Sequence, residues 1–316
     1  MGSLSQPKLP VIHFSEENLK PGTDSWISTR NETVRALEDY GCFIAVYDRV
    51  SLELHNSIFQ ALKPLFDLPL ETKIQNTSDT PNHGYLGQLP AIPLYESLGI
   101  ENATTLEGAQ KFTNLMWPSG NDFFSETALS FSKLVSELDQ TVKKMVSESY
   151  GIQKYNESLL GSTSYLLKPI KYREPKMNET NVGIVPHMDK TFTTILQQHQ
   201  VGGLEIKTKD DQWILIEPSP SSFIVMAGQV CMAWTNGRIE PATHRVIMNN
   251  KERYSLGLFS FIRDILIEIP EELVDETHPL QYKPFYHYKF LHYYYSDEGR
   301  RLRSKCPCPI KTYCGV

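Results

Sequence analysis

The sequence predicts an α+β protein with a mainly β core: a double-stranded β-helix (jelly roll) flanked by helices. Three observations carry this. From Tyr165 onward, short β-rich runs alternate apolar and polar residues and are separated by turn-forming pairs such as Gly202-Gly203 and Asn236-Gly237, the pattern of a sandwich or jelly roll. Before Tyr165 and beyond Asp264 the period lengthens to that of amphipathic helices. No linker, repeat or low-complexity tract divides the 316 residues. One domain is therefore expected: a mostly helical region over 1–160, a jelly-roll core over 161–264 and a helical tail over 265–316.

The elements follow in order. Residues 9–14 (Leu-Pro-Val-Ile-His-Phe) suit an edge strand, because Pro10 has no N–H to give an inner ladder. Across 24–40, Trp26, Val34, Leu37 and Tyr40 recur at helical spacing, with Asp24 or Ser25 as cap and Gly41 as stop. Residues 42–46 read as a buried strand. Residues 51–66 read as a helix capped by Ser51, which Pro64 should kink or end early. The stretch 72–120 is rich in Gly, Pro, Asn and Thr and reads as mostly loop, suited to a lid or pocket wall. The clearest helix is 125–150, striped by Phe131, Leu134, Leu138, Val142 and Met145, with Ser125 as cap and Gly151 marking its end. Strands are expected over 165–167, 191–197, 204–207, 213–216, 223–227, 231–235, 242–247 and 254–261, and a closing helix, dense in Tyr and Phe, over 285–295.

Composition removes several function classes. A net charge of −6, with no basic run longer than the one around Arg300, Arg301 and Arg303, argues against a nucleic-acid surface. No stretch of about 18 apolar residues is present to span a membrane. The first ten residues hold no apolar signal core. Met1-Gly2 lacks the Ser or Thr that myristoylation needs where Gln6 stands, and Cys314 is one place too near the end for prenylation. The sequons at Asn31, Asn76, Asn102, Asn156 and Asn178 are then coincidental. Five cysteines make no even disulfide framework. Cys42 and Cys231 read as small buried residues, and Cys306, Cys308 and Cys314 lack a fourth ligand for zinc. A reduced, cytoplasmic, monomeric protein is expected.

The chemistry gathers on His187-x-Asp189 and His244. Two imidazoles and one carboxylate on one face of a metal, with other positions open, suit a non-haem ferrous ion that also binds O2. By itself His-x-Asp is more often an ordinary turn. On a strand, however, residues two apart point to one side, and His244 is expected to approach from the far side of the sandwich. Arg253 and Ser255 add a guanidinium and a hydroxyl that can grip a distant carboxylate, and Tyr172 can add a second hydroxyl.

The order His187-x-Asp189, Gly203-Leu204-Glu205-Ile206, Asn236-Gly237-Arg238, His244-Arg245-Val246 and Arg253-x-Ser255 resembles the plant 2-oxoglutarate/Fe(II)-dependent dioxygenases. The likeness extends to residues 9–12 and 36–43 and so covers nearly the whole chain. Gly84-Tyr85, residues 93–97 and residues 112–118 resemble most the glucosinolate alkenyl/hydroxyalkyl-type subgroup of specialised metabolism. The chain departs from the pattern at His13, Ile170 and Gln229. The resemblance implies Fe(II) on His187, Asp189 and His244, and 2-oxoglutarate chelating that iron with its far carboxylate on Arg253, Ser255 and Tyr172. It also implies succinate and CO2 as coproducts of hydroxylation, desaturation or ring closure of a small aromatic or apolar plant metabolite or hormone. Tyr85, Phe112, Phe259, Phe261, Phe290 and Tyr294 are the candidate substrate walls, each competing with a plain core role. The alternatives are a silent jelly roll that binds a small ligand and a ferrous oxygenase that uses no 2-oxoglutarate.

Overall fold

The computed structural model describes residues 8–87, 89–303, 306 and 308–316, the side chain of Arg303 apart. The lipidation pattern at Met1, Gly2 and Gln6 lies outside the described residues. The N-terminal part runs β1 (Val11–His13), α1 (Asp24–Tyr40), β2 (Cys42–Val46), α2 (Leu52–Phe66), α3 (Leu70–Lys73), β3 (Tyr95–Ser97), β4 (Ile100–Glu101), α4 (Leu106–Met116), α5 (Asp122–Ser149) and α6 (Asn156–Gly161). The core follows as β5 (Thr163–Tyr172), β6 (Val182–His187), β7 (Thr193–Gln198), β8 (Leu204–Lys207), β9 (Trp213–Leu215), β10 (Ser222–Ala227), α7 (Gln229–Trp234), β11 (His244–Ile247) and β12 (Arg253–Ile262). Helices α8 (His287–Tyr295), α9 (Asp297–Arg303) and α10 (Pro309–Cys314) close the chain.

Local chemistry explains the boundaries. The Thr23 hydroxyl, rather than Asp24 or Ser25, accepts the Trp26 N–H and caps α1. Gly41 ends that helix at a left-handed φ of 68°. A side chain at Gly41 would strike the backbone of Glu240, Pro241 and Ala242, so the α1–β2 corner can lie directly against the segment leading into His244. Ser51 caps α2 as expected. That helix continues past Pro64 to Phe66, so the early end expected at the proline is not seen. In the stretch expected to be mostly loop, α4 is a full helix: Ala109, Phe112, Thr113 and Met116 form its buried stripe. Asn121, not Ser125, caps α5.

The large sheet runs β1-β2-β10-β7-β12-β5-β3, with β4 also on β5; the small one runs β6-β11-β8-β9. All pairs are antiparallel except β1–β2. One apolar cluster fills the space between the large sheet and the helices, including Phe131, Leu138 and Met145 of α5. A second, with Ile170, Leu196, Leu204 and Val246, lies between the sheets. The stretch 231–235 is not a strand. It belongs to the buried helix α7, because a short run that is apolar all round carries no period to separate the two. The five cysteines are free. Among the described residues no helix is long and apolar enough to cross a membrane.

Candidate metal centre and cavity

His187 ends β6 and His244 opens β11, and the two are direct partners across the antiparallel pair. His244 thus arrives on the neighbouring strand, not from the far side of the sandwich. The ring centroids lie 4.2 Å apart. Asp189 lies past the end of β6, in the turn before β7. Its Oδ1 stands 3.7 Å from His187 Nε2 and its Oδ2 stands 4.0 Å from His244 Nε2. The three ligand atoms all fall within 4.8 Å of one another, close enough to share one ion.

Neighbouring groups orient each member. His187 Nδ1 donates to the Val185 carbonyl at 2.9 Å and His244 Nδ1 to the Ala242 carbonyl at 3.2 Å, which leaves both Nε2 lone pairs for a metal. The Thr194 hydroxyl donates to Asp189 Oδ2 at 2.7 Å. Burial, then the adjacent His244, lowers His187 to about 3, so its ring is neutral and ready to ligate. Burial opposes ionisation of Asp189, but His244, His187 and the Thr194 hydroxyl hold it below the usual carboxylate range. The Asp189 turn is fastened twice more: Gln229 N–H donates to the Asp189 carbonyl at 2.9 Å, and His287 Nε2 to the Lys190 carbonyl at 2.7 Å. Neither fastening was legible in the sequence. Gln229 also uses its side-chain oxygen, which accepts from Ile310 N–H of α10.

Arg253 and Tyr172 are register partners on β12 and β5, and Ser255 follows on the same face. The guanidinium is wholly buried. It donates to Gln198 Oε1 at 2.9 Å and Ser255 Oγ at 3.2 Å, and its carbon lies 5.0 Å over the Tyr172 ring. Its Nε has no partner, and no carboxylate pairs with it among the described residues. A buried, uncompensated guanidinium is costly unless an anion completes it. That requirement fits the free carboxylate of a metal-chelating 2-oxo diacid.

Both groups open onto one cavity of about 490 Å³. Phe259 and Phe261, two of the candidate walls, line it. Four other expected wall residues, Tyr85, Phe112, Phe290 and Tyr294, are absent from the lining. Phe112 packs on Phe124 in the helical core, and Phe290 is fully enclosed beside Tyr313. The Tyr85 hydroxyl donates to Glu96, and the Tyr294 ring lies beneath Lys190. Walls that the sequence did not reveal come from the loop holding Asn82, Leu86 and Ile92, and from Lys168, Leu291 and Tyr295. Asn76 clamps this loop, exchanging two hydrogen bonds of 2.8 and 2.9 Å with Gly99.

Comparison with known proteins gives consistent results. Residues 156–262 match the 2OG-Fe(II) oxygenase superfamily, and residues 9–92 match the N-terminal model described as non-haem dioxygenase in morphine synthesis. The probable 2-oxoglutarate-dependent dioxygenase AOP1.2 of Arabidopsis thaliana is 47% identical, covering 94% of each chain. Among solved structures, the dioxygenase for auxin oxidation of Arabidopsis thaliana, in its 2-oxoglutarate complex, aligns at a TM-score of 0.78 and 26% identity. It covers 86% of this chain and 100% of its own. The rice dioxygenase for auxin oxidation has the same score and identity over 98% of this chain and 100% of its own.

Proposed function

Because the chain belongs to the 2OG-Fe(II) oxygenase superfamily, we propose that His187, Asp189 and His244 hold its iron and that Arg253, Ser255 and Tyr172 receive the far carboxylate of 2-oxoglutarate. The protein is a 2-oxoglutarate-dependent dioxygenase that oxidises a plant small molecule. Iron held by these three residues would supply the oxidative chemistry of the class, with 2-oxoglutarate and O2 as cosubstrates. The chain's own residues position and shield. The two Nδ1–H bonds present both Nε2 atoms to the metal, and the Thr194 hydroxyl aims the Asp189 carboxylate. Arg253, held by Gln198 and Ser255, would hold the far carboxylate of the cosubstrate. Phe259, Phe261, Asn82, Leu86, Leu89 and Ile92 line the remaining space with mostly apolar walls.

The observation that carries this reading is the unpaired, buried guanidinium of Arg253 on the same cavity as the three-ligand set. The substrate in this reading is a largely apolar metabolite or hormone that undergoes hydroxylation, desaturation or ring closure. The enzyme works as a single-domain, cytoplasmic monomer without nucleic-acid or membrane partners, in keeping with its net charge of −6 and free cysteines. Anaerobic addition of Fe(II) and 2-oxoglutarate should produce a weak visible charge-transfer band, and His187→Ala should abolish it. A wild-type protein without the band, or a variant that keeps it, would falsify the assignment.

A further inference from the structure

The cavity has a second cationic end. Along β5, Leu166, Lys168, Ile170 and Tyr172 all face the cavity; their register partners on β12 are Phe259, Gly257, Ser255 and Arg253. Tyr172 and Arg253 mark one end of this floor. Lys168 lies four residues back along β5, about 13 Å away at ~3.3 Å per strand residue. The two cationic heads are held by different partners: Arg253 donates to Gln198 and Ser255, and Lys168 to Asn82.

Lys168 is only 3% exposed. Its Nζ donates to the backbone oxygen and to Oδ1 of Asn82, at 3.0 and 3.3 Å. An ammonium carries three donors. Both acceptors are neutral and belong to one residue, and no carboxylate pairs with Lys168 among the described residues. Burial alone pulls the amine down to about 8, with the charge of Asp189 opposing. The other lysine on the cavity, Lys190, rests its Nζ 4.5 Å over the Tyr294 ring. Apart from the metal-binding Asp189, no acidic residue is found in the described lining. The rest of the chamber is mostly apolar, built by Leu86, Leu89, Ile92, Phe259, Phe261 and Leu291.

A merely structural Lys168 would pin the loop that carries Asn82. An uncharged amide could do that without burying an ammonium, so the charge calls for a further cause. We propose that Lys168 recognises a carboxylate on an otherwise apolar substrate, making that substrate a small carboxylic acid. The inference rests on the reading of this cavity as the substrate chamber of a 2-oxoglutarate oxygenase.

The test uses the holoenzyme, loaded anaerobically with Fe(II) and 2-oxoglutarate, and three pairs of probes. These are indole-3-acetate, trans-cinnamate and decanoate, each against its primary amide, with binding followed by calorimetry. In wild type at least one acid should bind about tenfold or more tightly than its amide, the scale of a charge-assisted contact. Lys168→Gln, which keeps a donor for Asn82, should bring that ratio within about twofold, and Lys168→Arg should keep most of it. The charge-transfer band should survive in all three proteins, which separates this inference from the assignment beneath it. With the band intact, the inference is overturned if wild type binds acid and amide alike, if it binds none of the pairs, or if Lys168→Gln retains the preference. A wild type without the band overturns the assignment and the inference together.

Discussion

His287 shows how one buried side chain can hold the turn after Asp189 in place. It is 1% exposed. Its Nδ1 accepts from Ile262 N–H at the end of β12, while its Nε2 donates to Lys190 beside Asp189. Only the neutral ring can do both. Burial, aided by the nearby charges of His83 and Lys143, lowers its pKa to about 3, against 6.5 for the free group. The unfolded chain therefore takes the proton first. Stability from neutral His287 is complete above about pH 6.5 and is lost as pH falls towards 3, at about 1.4 kcal/mol per pH unit. Urea unfolding of wild type and His287→Gln at pH 7 and pH 5 should show the wild-type advantage shrinking by about 2 kcal/mol at the lower pH. An unchanged gap would mean that His287 is not held neutral.

At the scale of elements, α5 is fastened to the large sheet by a buried polar knot. Asp139 pairs with Lys143 one turn on, at 2.7 Å, and accepts from the Tyr165 hydroxyl at 2.8 Å and from the Thr193 hydroxyl. Lys143 also lies 5.0 Å over the Phe192 ring. Both ionic partners are almost fully enclosed, so removing one strands the other in a medium of low dielectric. Asp139→Leu should cost about 3 kcal/mol or more in denaturant unfolding. The double variant with Lys143→Met should be less damaged than Asp139→Leu alone, because no charge is left behind. A double variant that simply adds the two single losses would show that the knot is not a coupled pair. This fastening matters to the site because Thr193 opens β7, four residues after Asp189.

For the whole molecule, the same logic couples folding to ligand. Arg253 is buried with no carboxylate partner among the described residues, so an anion bound there would relieve a cost already present in the fold. At 100 times its Kd, 2-oxoglutarate added to the metal-loaded protein should add about 3 kcal/mol of stability, seen as a raised Tm. Arg253→Met should lose that increment while its ligand-free stability stays within about 1 kcal/mol of wild type. A variant still stabilised by 2-oxoglutarate would remove Arg253 from the cosubstrate site.

The sequence by itself determined the helices with a long apolar stripe, most of the core strands and the candidate ligand set His187, Asp189 and His244. Periodicity and donor chemistry are local, and α5, β2 and His187-x-Asp189 carry both within a short stretch. It misread α7 as a strand because the five apolar residues Val230–Trp234 are all buried and carry no polar face to set a period. It missed α4, whose stripe is hidden in a stretch rich in turn formers. What only the tertiary structure decided is adjacency. Strand pairing put His244 beside His187, and β5–β12 register put Lys168 on the same floor as Arg253. The fold also drew Phe112 and Phe290 into the core while leaving Phe259 and Phe261 on the cavity. An aromatic ring is equally apolar in either place; which one it occupies depends on partners far away in the chain, and a short window of residues does not contain them.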